Sequence, residues 1–106
     1  MSEHEIQTEI LELIRLRGGL PLRVNSGNVS HYVKGAPKGT ADIIACYHGR
    51  FLAIEVKDTN GKLSQAQVKF SVAVIHAGGL YIVARSAEEM NEKLDVVDSV
   101  RDFRIV

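Results

Sequence analysis

The chain has 106 residues, 45% hydrophobic and 25% charged, a size and make-up that fit one compact domain rather than several. Its 13 basic and 13 acidic residues give a formal net charge of zero, which argues against gripping nucleic acid or an anionic membrane through bulk charge alone. Cys46 is the single cysteine, so an intrachain disulfide and a cysteine-based zinc cluster are excluded.

No apolar run approaches the ~20 residues that span a bilayer. The acidic start, Met1-Ser2-Glu3-His4-Glu5, lacks the basic and apolar segments of a signal peptide. Both point to an intracellular, cytoplasmic protein with no membrane partner. Along the chain, residues 3–18 read as a helix, with Ile6, Ile10, Leu13 and Ile14 on one face and Gly18-Gly19 as the stop. Residues 20–24 form a short strand. Residues 25–39, rich in Gly, Ser, Asn and Lys, read as a long loop, which in a small domain is often functional. Residues 40–47 and 51–57 are apolar strands joined at His48-Gly49, a two-residue hairpin turn. A polar connection follows, and Ser64 opens a helix to about Ala77 that Gly78-Gly79 ends. Residues 80–84 are a strand. Ser86-Ala87-Glu88-Glu89 has the pattern of a capping box opening a third helix, to about Leu94. Residues 95–106 suit strand and helix equally. The order α-β-β-β-α-β-α describes a mixed α/β layer with helices on a central sheet.

The hairpin gathers the chemistry. With His48 and Gly49 as the turn, Tyr47 faces Arg50 and Asp42 falls opposite Glu55. Side chains alternate along a strand, so Phe51, Ala53, Glu55 and Lys57 share a face with Asp42, Ile44 and Cys46. Directly opposed strand residues have Cβ atoms about 4.5–5.5 Å apart, where like charges are destabilising. Two carboxylates there need a shared proton or a cation. Mg²⁺ accepts one or two carboxylates together with waters and phosphate oxygens. Lys57, just beyond, is placed to orient or deprotonate a water or to steady a phosphate, which makes a metal-dependent phosphodiesterase site. The plainer alternative is a set of solvated charges at strand ends; the apolar flanks Ile43, Ile44, Leu52, Ile54 and Val56 count against it.

Three further groups bear on this site. On the helical wheel of residues 3–18, Glu5, Glu9 and Glu12 face solvent, whereas Glu3 and Gln7 fall within the apolar stripe. Glu3 therefore either faces the sheet or only complements the helix N-terminus. Gln67 either only closes a capping box on Ser64 or, on a helix starting seven residues after Lys57, is aimed back at the site. Arg23, Asn25 and Ser26, with Lys34, Lys38 and Lys62, offer donors to phosphate.

Asp42, twelve intervening residues and Glu55-Val56-Lys57 resemble the core of the PD-(D/E)XK nuclease superfamily. The wider set is more specific: Glu3-His4-Glu5-Ile6-Gln7, Arg23-Val24-Asn25-Ser26-Gly27, Gly39-Thr40-Ala41-Asp42-Ile43-Ile44, Gly61-Lys62-Leu63-Ser64 and Gln67. With Ala77-Gly78-Gly79-Leu80 and Val83-Ala84-Arg85-Ser86, this order is similar to VRR-NUC (virus-type replication-repair nuclease) domains from residue 3 to about 90. The resemblance implies a single domain over residues 1–106 with a restriction-endonuclease-like fold, a central mixed sheet flanked by helices. It further implies a DNA endonuclease dependent on Mg²⁺ or Mn²⁺. Asp42, Glu55 and the Val56 backbone carbonyl would hold the metal, with Lys57 as the catalytic lysine. Glu3 matches the family's helix-one acid and would join the metal site, and Gln67 matches its second-helix glutamine, a further catalytic residue. Ala41 stands where the superfamily's name has proline, a position that sets backbone geometry. Free-standing domains of this kind resemble small Holliday-junction resolvases, so branched DNA and a homodimer are implied partners. A non-catalytic DNA-binding module and a restriction-type duplex nuclease are the alternatives.

Overall fold

The computed structural model describes residues 1–24 and 36–100. Asn25, Ser26 and Lys34 lie outside the described residues, as does the tail beyond residue 100. Seven elements follow in order: α1 (Glu3–Leu16), β1 (Leu20–Arg23), β2 (Ile43–Tyr47), β3 (Arg50–Val56), α2 (Gln65–His76), β4 (Leu80–Ala84) and α3 (Ala87–Ser99).

Helix α1 starts at a capping box not anticipated from the sequence. The Glu5 amide donates to Ser2 Oγ at 3.1 Å, and the Ser2 amide donates to Glu5 Oε1 at 2.8 Å. Its inward face is Ile6, Gln7, Ile10, Leu11 and Ile14; Leu11 joins the expected stripe, and Leu13 is only half-buried. Helices α1 and α2 end alike. At the first glycine of each Gly-Gly pair φ is positive, 89° at Gly18 and 96° at Gly78. The second glycine donates back to the last turn, Gly19 to Ile14 O at 2.8 Å and Gly79 to Val74 O at 2.9 Å. A Cβ at either second position would meet a neighbouring side chain, Ile14 Cγ2 at 2.6 Å or Phe51 Cδ1 at 2.9 Å.

The four strands form one mixed sheet in the order β1-β2-β3-β4. β1, β2 and β3 pair antiparallel, and β3 pairs parallel with β4, as a crossover through α2 requires. The tight turn has positive φ at both His48 (49°) and Gly49, the two-residue hairpin geometry whose twist matches the flanking strands. Strand β2 begins at Ile43 rather than at Thr40: the Val56 amide is taken by the Asp42 side chain instead of by a facing backbone carbonyl. Helix α3 runs past Leu94 to Ser99; Met90, Leu94 and Val97 repeat at helical spacing and are all buried. The Ser86 box closes only on one side: Ser86 Oγ accepts the Glu89 amide, while Glu89 Oε1 accepts the Arg85 amide.

The sheet has two unlike faces. On one, α1 and α3 pack over Ile43, Ala45, Tyr47, Leu52, Ile54 and Val56, the main core. On the other, α2 lies over a smaller cluster of Ala41, Ala53 and Val74, with Phe70 and Tyr81 against it. Among the described residues no helix is long and apolar enough to cross a membrane.

Candidate active site

The ladder that pairs Tyr47 with Arg50 and Ile43 with Ile54 sets where the acids meet. Asp42 lies one residue before β2. Its backbone oxygen accepts the Val24 amide and its Oδ2 accepts the Val56 amide, each at 2.8 Å. The carboxyl is thereby fixed at the end of β3. Glu55, the next-to-last residue of β3, points to the α2 face and is 3% exposed.

Gln67 joins helix α2 to this pair. Its amide nitrogen in the backbone donates to Ser64 Oγ, and its side-chain oxygen accepts the Ser64 amide at 2.8 Å. The remaining side-chain nitrogen donates to Glu55 Oε2 at 2.9 Å. Both roles open in the sequence, cap and site contact, are filled by one side chain. Lys57 emerges just past β3, anchored by its amide to Ala84 O at 3.1 Å, with Nζ 3.7 Å from Glu55 Oε2.

Burial of the two acids together has an electrostatic consequence. The Glu55 carboxyl is pushed up to about 8, first by desolvation and then by the Asp42 charge and carboxyl, with Lys57 opposing. Asp42 is also raised by burial, against the lowering effect of the Val56 N–H. Glu55 Oε1 is buried with no N–H or hydroxyl donor on it, while the Glu55 and Asp42 carboxyls lie within hydrogen-bonding reach of each other. A pair of apposed carboxyls with one oxygen unpartnered suits a divalent cation that takes one or two carboxylates and fills the rest of its shell with water. Among the described residues there is no cluster of three or more His, Cys, Asp and Glu side chains able to hold a metal ion. The candidate centre is therefore a pair, Asp42 and Glu55.

The other sequence candidates fall around it at different distances. Glu3 is exposed, and its Oε2 accepts the Asp58 amide at 3.2 Å, beside Lys57. Its charge reaches both acids, raising Asp42 and Glu55 alike. Arg23 is turned onto α1, where it donates to Thr8 Oγ1 at 2.8 Å and to His4 O at 3.4 Å. Lys38 and Lys62 are exposed.

Two residues had no role assigned from the sequence. Arg85, after β4, donates to the carbonyls of Asp58 and Gly61 and so holds the loop between Lys57 and α2. Tyr81 packs against the cluster of Ala41, Ala53 and Val74 on the face that carries Glu55. Only the parallel β3–β4 register brings it there, and no local pattern encodes that register. An open apolar cleft of about 420 Å³, lined by Phe51, Phe70, Ala73, Val74, Ala77, Gly78 and Gly79, lies at the far end of α2 from Gln67 and carries no ionisable side chain.

None of the known protein-family models matches this chain, and no curated protein matches it. A solved structure described as a "VRR_NUC domain" is similar over 97% of this chain and 97% of that one, with a TM-score of 0.65 at 21% identity. The shared fold is thus that of a VRR_NUC domain over nearly the full length of both.

Proposed function

We propose that the chain is a divalent-metal-dependent DNA endonuclease of the VRR-NUC type, acting as a homodimer on branched DNA. The observation that carries the reading is the buried Asp42–Glu55 pair, with Glu55 pushed up to about 8 and one of its oxygens unpartnered. A burial this unfavourable to charge is what a fold tolerates when a cation is to be held there. The likeness in fold to a VRR_NUC domain supports the same reading.

Asp42, Glu55 and the Val56 carbonyl would hold Mg²⁺ or Mn²⁺, with Glu3 adding negative charge from α1. When bound, such a cation neutralises charge building on the scissile phosphate and makes water more acidic. The chain's own residues do the rest. Gln67 locks the Glu55 rotamer from α2, and the Val56 amide locks that of Asp42. Lys57, held close to Glu55 at the margin of the pair, presents its ammonium to the phosphate and orients the attacking water. Lys38 and Lys62 contact the DNA backbone, with Arg23 at the end of β1 and with Asn25, Ser26 and Lys34. A two-fold dimer would offer two such sites to two strands.

The test is a cleavage panel of four-way junction, flap and linear duplex DNA with Mg²⁺ or Mn²⁺. Paired nicks on the junction are expected, lost on Asp42→Asn. Lys57→Ala is expected to lower the rate while leaving cation affinity unchanged. Equal cutting of linear duplex would replace the branched-DNA assignment with a restriction-type one. A protein inert on every substrate would be a binding module.

A further inference from the structure

Two polar atoms on the α2 side of the sheet are buried without a partner, Glu55 Oε1 and the Tyr81 hydroxyl. Their positions are related by the β3–β4 register, which pairs Ala53 with Tyr81 and Glu55 with Val83. Neighbours in register point to the same face, so Tyr81 stands two residues before Glu55 on the side where Glu55 projects. The ring is fixed there. It meets Phe70 edge-on with centroids 6.5 Å apart, and it packs against the cluster of Ala41, Ala53 and Val74, in which Ala41 adjoins Asp42 and Ala53 lies two residues before Glu55. The charges of Glu55 and Asp42 reach the phenol, which burial and these two acids push up to about 12. The hydroxyl is therefore a neutral donor on the face that carries Glu55.

A buried phenol O–H and a buried carboxylate oxygen, each lacking a partner and each costly in that condition, are matched in kind. No direct hydrogen bond joins them, and a single water between them would satisfy both. A carboxylate oxygen has two lone pairs, so a water on one leaves the other for a cation. We propose that Tyr81 is a positioning residue, donating through a single bound water to Glu55 Oε1 and completing the restraint that Gln67 begins at Oε2. This rests on the reading of Asp42 and Glu55 as the cation-holding pair. Glu55 is then held through both oxygens, by α2 on one side and by β4 on the other.

Tyr81→Phe removes the hydroxyl and keeps the ring. Three readouts on the full chain decide its role: thermal melting without metal, calorimetric titration with Mn²⁺ alone, and kcat and KM for DNA cleavage. Expected are an unchanged or higher melting temperature, Mn²⁺ affinity lower by about tenfold, and a similar fall in kcat with KM for DNA unchanged. A ring acting only as packing would leave Mn²⁺ affinity and kcat as they are, and that result overturns the assignment. A crystal structure of the unaltered protein gives a check that needs no variant. An ordered water bonded to both Tyr81 and Glu55 is expected, and a dry gap between them contradicts the proposal. If the unaltered protein neither binds Mn²⁺ nor cuts DNA, the nuclease reading itself falls. If it does both and Tyr81→Phe matches it, only the role of Tyr81 falls.

Discussion

Glu55 carries the largest electrostatic cost resolved in the site, and the sign of that cost makes it measurable. Its carboxyl is raised from the ordinary range near 4.5 to about 8, so the folded chain binds this proton more tightly than the unfolded one. Stability without metal is therefore expected to fall as pH rises from about 4.5 towards 8, as the folded acid is forced to ionise. Melting curves across that range check the slope. Mn²⁺ is expected to raise the melting temperature more at the upper end of the range than at the lower, because it competes with the proton for the same pair. Glu55→Gln is expected to flatten the metal-free profile and to melt higher than the parent above neutral pH.

Among the elements, α2 depends most on a contact that local sequence does not announce. Gly39, with φ of 86°, lies against the first turn of α2, where an added Cβ would collide with the Ala66 carbonyl and sit 2.8 Å from the Gln67 amide. Gly39→Ala is thus expected to push the start of α2, and with it Gln67, away from Glu55. Cleavage should fall by about tenfold or more while the main core, on the opposite face, keeps the chain folded; activity assays beside circular dichroism separate the two. The elements themselves were largely legible. Ser64-x-x-Gln67, the Gly-Gly stops and the His48-Gly49 turn are local signals, and the turn alone fixed Asp42 opposite Glu55. What local signals do not carry is which strands lie side by side. That is why the places of Tyr81 and Arg85 are not legible in the sequence, whereas the extra turn of α3 follows the local spacing of Met90, Leu94 and Val97. The N-terminal cap at Ser2 is local and was there to be read.

Taken as a whole, the molecule separates its stabilising polar contacts from its chemistry. At the hairpin-turn end, Arg17 bonds Asp95 at 2.8 Å and Asp98 at 3.0 Å, and Asp98 also accepts Tyr47 Oη and the His48 ring nitrogen Nδ1. This clasp ties α1 and α3 to the β2–β3 turn. Desolvation opposes the ionised Asp98, and the His48, Tyr47 and Arg17 contacts outweigh it, so its carboxyl is lowered overall. Its stabilisation is present above the ordinary carboxylate range and is lost as pH falls through the lowered value. Asp98→Ala is expected to cost about 2 kcal/mol in denaturant titrations near neutral pH, with kcat unchanged. The opposite end holds the acids on a less deeply packed face, where a ligand can approach. Zero net charge is consistent with this division. Acids on the outer face of α1 and in the clasp balance the sum, and a cation at Asp42–Glu55 would reverse the local sign that DNA meets. On the proposed function, this pair would cut DNA once loaded with a divalent cation. The most direct measurement is the rate of Mn²⁺-dependent cleavage of a labelled four-way junction by the unaltered chain beside Glu55→Gln. Cutting that needs the metal and falls by more than about a hundredfold in the variant is expected; cutting that survives the substitution, or proceeds equally with a chelator present, would contradict it.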